Sequence, residues 1–310
     1  MSKRDRLLIL VLACIVALVM SACHAEKSRF QELEAHAPGV SLYVRVAGNL
    51  ESGNTLIAIH GGPGLSSHYM LNLERLAGPE LAVVTYDQRG VGRSTSVPLD
   101  PANFELLDYV EDLEAVRRAV GAERVHLLGH SWGGIVALRY ATVYPQRVDS
   151  IVLVSSGPPT WDGILSCFSG IEMRFLELQN TGVIPRDLTP GTEEYGKAFL
   201  AAYFSDPTFW FSPEDEGGLP ESNQQVNRLT WSAVEGFDLT SLVSGLEHRV
   251  LVFWGEDDPC GLSVGESVQE ALSAADVEFV LLRDCGHFWH ECPDQFFPQV
   301  HAFLSLPGEP

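Results

Sequence analysis

The sequence predicts an α/β fold: a mostly parallel, twisted sheet flanked by helices, with a mainly helical lid inserted after the sixth strand. Three observations predict it. Short apolar runs rich in β-branched residues recur along the chain, longer stretches with helical spacing separate them, and the alternation fails once, between residues 158 and 238. Strands joined through helices pair in parallel, and a parallel sheet must be covered on both faces.

Taken in order, the strand-like runs are 41–46, 55–59, 81–86, 124–128, 149–154, 249–254 and 277–282, and helical spacing marks 104–120, 134–144, 265–273 and 294–304. Between 158 and 238, Phe168, Met173, Phe175, Leu176, Tyr203, Phe204, Phe209, Trp210 and Phe211 are scattered among polar turns and prolines. That pattern gives a core at 40–157 and 239–306, interrupted by a lid at 158–238.

With 310 residues, 45% of them hydrophobic and 20% charged, the chain can bury one sizeable core. The net charge of −21 is spread along the length. It excludes nucleic acid and disfavours polyanionic ligands, because both demand a basic surface.

The amino terminus has the form of a secretory signal: Lys3, Arg4 and Arg6 precede an apolar run from Leu7 to Met20. That run is shorter than the roughly 20 residues a spanning helix needs. Ser21, Ala22 and Cys23 resemble the lipobox of bacterial lipoproteins, which implies a signal peptide at 1–22, lipid on Cys23 and residence in the bacterial cell envelope, held on a membrane. An ordinary cleaved signal and an uncleaved anchor are the alternatives. Residues 23–39 read as a polar tether. Of the other cysteines, Cys260 and Cys285 flank candidate catalytic residues and stand close enough in this arrangement for a disulfide, with buried free thiols as the alternative.

The chemistry centres on Gly129-His130-Ser131-Trp132-Gly133, a G-x-S-x-G sequence between a strand and a helix. Glycines flank the serine because a sharp strand-to-helix turn leaves no room beside it. A serine hydroxyl is a poor nucleophile at neutral pH, so it needs a base, and the base needs a carboxylate to fix its tautomer. The loops after the last two strands supply both: Gly255-Glu256-Asp257-Asp258, where the G-x-x-D spacing selects Asp258 with Asp257 as the alternative, and Asp284-Cys285-Gly286-His287. His290 competes with His287, which the preceding Gly286 favours. Both loops open on the edge of the sheet that carries Ser131, where ligands bind in open α/β folds. His60-Gly61-Gly62-Pro63-Gly64 follows the strand at 55–59, and the N–H groups of Gly62 (or Gly61) and Trp132 are the candidate oxyanion donors.

His60 to Gly64, the block from Asp87 to Ser94, and Gly129 to Gly134 together resemble the motifs of proline iminopeptidases and their relatives in the α/β-hydrolase superfamily. The resemblance covers residues 40–157 and 240–305. It implies an acyl-enzyme on Ser131 and release of an amino-terminal residue, favouring proline, from a peptide. Such an enzyme must recognise a free ammonium, for which Glu172, Glu177 and Glu235 in the lid are candidates. The alternative on the same scaffold is a carboxylesterase or other small-acyl hydrolase, marked by an all-apolar pocket, and a third reading is an inactive binding protein. No metal and no cofactor is expected; the partner is a small peptide or ester.

Overall fold

The computed structural model describes residues 30–211 and 221–305. The expected signal at 1–22, Cys23 and the first part of the tether lie outside the described residues. Eight strands form one sheet: β1 Phe30–Ala37, β2 Val40–Ala47, β3 Thr55–Ile59, β4 Ala82–Tyr86, β5 Val125–His130, β6 Val148–Val154, β7 Arg249–Gly255 and β8 Asp276–Leu282. Their spatial order is β1-β2-β4-β3-β5-β6-β7-β8. β2 pairs antiparallel with β1 and β4, and every pair from β4 through β8 is parallel.

The helices are α1 Leu106–Ala119, α2 Trp132–Val143, α3 Trp161–Asn180, α4 Glu193–Ala201, α5 Gln224–Ala233, α6 Thr240–Val243, α7 Leu262–Ala271 and α8 Pro293–Ser305. All seven expected strands are present within a residue or two of their expected bounds. The eighth, β1, corrects the expectation of a tether over 23–39. Its sequence, FQELEAHA, keeps only Ala35 fully buried, so it carries no apolar run. It adds at the sheet's edge instead, where an antiparallel hairpin with β2 satisfies its backbone and leaves its polar side chains in water. β1 also makes Val148–Val154 the sixth strand in the chain.

The central strands are buried on both faces, and successive residues divide between them. Ile57 and Ile59 of β3 pack into the layer formed with α1 and α2, where Tyr109, Val110, Ile135 and Leu138 also lie. Leu56 and Ala58 pack the other way, with Tyr69, Met70 and Leu73 from the 3-10 turns at Ser67–Leu76 and with Phe296 and Val300 of α8. Each large side chain so buried contributes roughly 1.5–3 kcal/mol.

Between β6 and β7 stands the insertion, with α3, α4, α5 and α6. Its ends close on each other: Trp161 N–H donates to Phe237 O at 2.9 Å and Leu239 N–H to Pro159 O at 2.8 Å. The insertion therefore leaves and rejoins the core at one place, over the carboxyl ends of the parallel strands.

Candidate active site

Ser131 sits between the last residue of β5 and the first of α2, with φ 53° and ψ −122°. A non-glycine residue holds such a backbone only where its surroundings force it, and here they do. Ser131 N–H donates to Val154 O at 3.1 Å, and Ser131 O accepts from Gly134 N–H at 2.9 Å and Gly157 N–H at 2.8 Å. The flanking glycines are required by close approach. A Cβ on Gly133 would lie 2.0 Å from Ile59 O, and one on Gly129 would lie 2.5 Å from Gly133 O.

His287 Nδ1 is 2.9 Å from Asp258 Oδ2. Both residues are buried, and Asp258 Oδ1 accepts the Cys260 N–H at 2.9 Å. A carboxylate can only accept, so Nδ1 carries the proton and Nε2 is left free to receive one. Asp257, the alternative acid, is exposed and accepts the Ser205 hydroxyl at 2.6 Å. His290 turns away as well: its Nε2–H donates to Tyr69 O at 2.8 Å. His287 and Ser131 line one cavity.

The loop at His60–Gly64 lies against the serine turn through a directional chain of hydrogen bonds. Gly61 N–H donates to Tyr69 Oη at 2.6 Å, Tyr69 O–H donates to His130 Nδ1 at 2.7 Å, and His130 Nε2–H donates to the carbonyl of His287 at 3.0 Å. One chain thus ties together the glycine loop, the serine turn and the loop of His287. It requires neutral His130, and burial, reinforced by nearby His287, holds its pKa well below the usual histidine range. With Gly61 N–H engaged, Gly62 N–H and Trp132 N–H are the pair without a hydrogen-bond acceptor among the described residues, and both residues line the cavity.

The block from Asp87 to Ser94 braces this arrangement from behind. Gln88 N–H donates to His60 Nε2 at 3.0 Å, Gln88 Nε2 to His60 O at 2.6 Å, and Trp132 Nε1–H to Gln88 Oε1 at 2.9 Å. Asp87 accepts from Ser67 and from Arg93 N–H, and buried Arg89 grips buried Asp112 through two hydrogen bonds of 2.7 and 2.6 Å.

The far wall of the cavity belongs to the insertion. Ile164, Cys167, Phe168 and Ile171 present one face of α3, Trp231 comes from α5, and Tyr203 follows α4; Ser155, Ser156, Gly157 and Cys260 complete the lining. No carboxylate is among these lining residues. Glu172, Glu177 and Glu235, the expected ammonium binders, are exposed and outside the cavity, and Glu177 pairs with Arg174 at 2.8 Å. Glu172, four residues past Phe168, stands at the edge of the lining face and is exposed, while Glu177, six residues past the inward Ile171, is turned away from it.

Neither alternative for Cys260 and Cys285, a link to each other or free thiols, is found: they form Cys167–Cys260 and Cys285–Cys292 instead. The first joins α3 to the loop of Asp258; the second closes a short ring around His287. Asp258, Cys260 and His287 bring one ligand atom each within 4.8 Å of the others. With Cys260 Sγ in a disulfide, the thiolate a metal would want there is absent. Sequence reasoning also passed over Tyr69, Tyr203 and Trp231, which lie in no motif; only the fold brings them to the serine.

Residues 54–291 match the family described as alpha/beta hydrolase fold. A proline iminopeptidase of Heyndrickxia coagulans is 38% identical over 270 residues, covering 82% of this chain and 91% of that protein. Among solved structures, the proline iminopeptidase of Mycobacterium smegmatis superposes with a TM-score of 0.67 at 22% identity, covering 88% of this chain and 97% of the other. An esterase from Rhodococcus gives 0.63 at 23% identity, covering 90% and 100%. At these identities the two structures speak to the fold alone.

Proposed function

The chain belongs to the alpha/beta hydrolase family and is a hydrolase, and from that premise we propose that it works through a Ser131–His287–Asp258 triad, as an aminopeptidase of the proline iminopeptidase type. The observation that carries the triad is the 2.9 Å contact of His287 Nδ1 with Asp258 Oδ2, in a residue that shares its cavity with Ser131. Ser131 Oγ attacks the substrate carbonyl as His287 Nε2 takes its proton, and Asp258 stabilises the imidazolium that forms. The oxyanion develops against the N–H groups of Gly62 and Trp132, which need no reorganisation to receive it. His287 then protonates the leaving amine, and water attacks the acyl-enzyme with the same residue as base.

The peptidase reading is supported by the relative of 38% identity that spans most of both chains. The apolar and aromatic wall, with Phe168 and Trp231, suits a pyrrolidine ring, and an aromatic face attracts a cationic amine. A second reading, hydrolysis of small esters, is favoured by one observation: among the described residues no carboxylate lines the cavity to pair with an ammonium. The test is hydrolysis of proline p-nitroanilide and p-nitrophenyl butyrate side by side, with Ser131→Ala as control. Anilide turnover that requires the free amine upholds the peptidase; ester turnover alone replaces it with the second reading.

We also propose export and lipid attachment at Cys23, on the basic and apolar start of the sequence and its Ser21-Ala22-Cys23 stretch. Two disulfides in the domain accord with an oxidising compartment. Palmitate labelling lost in Cys23→Ser is the expected result, and equal labelling of both proteins would refute it.

A further inference from the structure

Glu291 lies in the 3-10 turn Trp289–Glu291, four residues beyond the base. Its carboxylate accepts three backbone N–H groups from two separate parts of the chain: Gly286 at 2.8 Å and Ser205 at 3.0 Å on Oε2, and Asp206 at 2.9 Å on Oε1. Gly286 immediately precedes His287, and His287 N–H itself donates to Tyr203 O at 2.7 Å. The Tyr203 ring packs on the His287 imidazole with centroids 5.3 Å apart, and Tyr203 lines the cavity. Among the described residues no Lys or Arg pairs with Glu291. Backbone amides alone hold this partly buried charge, and burial pushes its pKa up against their pull.

We propose that Glu291 is a positioning residue: its carboxylate fastens residues 203–206 of the insertion to the loop of His287, so that the base and the cavity wall move as one piece. The proposal rests on the triad reading above. Only a group with two acceptor oxygens and no donor can serve all three N–H groups; an amide would turn its own NH₂ toward one of them. Asp258 orients the imidazole from one side, while Glu291 fixes the backbone from which that imidazole hangs. A base displaced by a fraction of an ångström from its serine loses rate steeply.

The experiment measures the rate at which a fluorophosphonate labels Ser131, which reports activation of the serine whatever the natural substrate, together with kcat and KM on the better nitrophenyl or nitroanilide substrate. Glu291→Gln is expected to label about tenfold more slowly, with kcat falling in proportion, KM changing less, and thermal unfolding still cooperative. Glu291→Asp, which keeps both acceptor oxygens, is expected to recover part of the loss. Labelling of Glu291→Gln at the unsubstituted rate, an aspartate variant no better than the glutamine one, or failure of both to fold would overturn the positioning role. Absence of labelling in the unsubstituted protein would strike the triad reading, and the proposal with it.

Discussion

His287 and Asp258 are both buried and stand 2.9 Å apart, whereas Asp257, one residue away in the same loop, is exposed and holds the hydroxyl of Ser205. Neighbouring carboxylates are thus given different work by which way the loop turns them. Asp258→Asn is expected to lower kcat by about 10³–10⁴-fold, since an amide can stabilise the wrong tautomer of the base. Asp257→Asn is expected to change kcat by less than about threefold. Steady-state kinetics on both variants decide the assignment, and a larger loss in Asp257→Asn would reverse it.

Ser131→Ala is expected to abolish turnover to within about 10³–10⁴-fold of the uncatalysed rate, the residue being what binding and the oxyanion donors retain. Its melting temperature should stay at or near that of the unsubstituted protein, because the turn is held by backbone hydrogen bonds of Ser131 that the substitution leaves in place. Calorimetry beside the activity measurement separates loss of chemistry from loss of structure.

Stability should decline in mild acid. Burial pushes the pKa of His290 down to about 4 and depresses those of His60 and His130. In the unfolded chain these rings take up protons near pH 6.5, so below that value the unfolded state binds protons the folded state refuses. The stability gained from neutral rings is complete above about pH 6.5 and is lost as pH falls toward 4, with His290 alone accounting for roughly 3 kcal/mol at the lower end. Asp112, raised by burial to about 6, works in the opposite sense over its own window and offsets part of the loss. Urea midpoints at pH 7 and pH 4.5 test this, and equal midpoints would contradict it.

Cys167, Cys260, Cys285 and Cys292 are expected to resist alkylation until the folded protein is treated with a dithiol. The double variant Cys167→Ala with Cys260→Ala should lose about 2–4 kcal/mol, as the cross-link spans 93 residues of chain. Mass spectrometry before and after reduction reads the first outcome, and denaturant unfolding the second.

Most of the sheet was legible because buried parallel strands are nearly continuous in Val, Ile and Leu, as 249–254 is, and because G-x-S-x-G has one structural meaning between a strand and a helix. The meeting of Asp258 with His287 was legible for the same reason: each follows such a strand at its carboxyl end. What was not legible depends on contacts distant in sequence. β1 has no apolar run because an edge strand needs none. Tyr69 reaches Gly61 and His130 from a turn that carries no motif, and the partner of Cys260 lies 93 residues away on a helix whose facing only the folded insertion fixes. Glu172, Glu177 and Glu235 all stand outside the cavity, and the helix that carries the first two lines it with Ile164, Phe168 and Ile171 instead.

That helix face has a consequence for how the protein can change. The groups of the proposed triad come from loops of the sheet, while much of the cavity's wall comes from a few side chains at successive turns of α3. On the proposed triad, selection can therefore exchange Ile164, Phe168 or Ile171 for larger or smaller residues and reshape the cavity, leaving Ser131, Asp258 and His287 as they stand. In this architecture, substrate choice and reactivity are separately heritable traits.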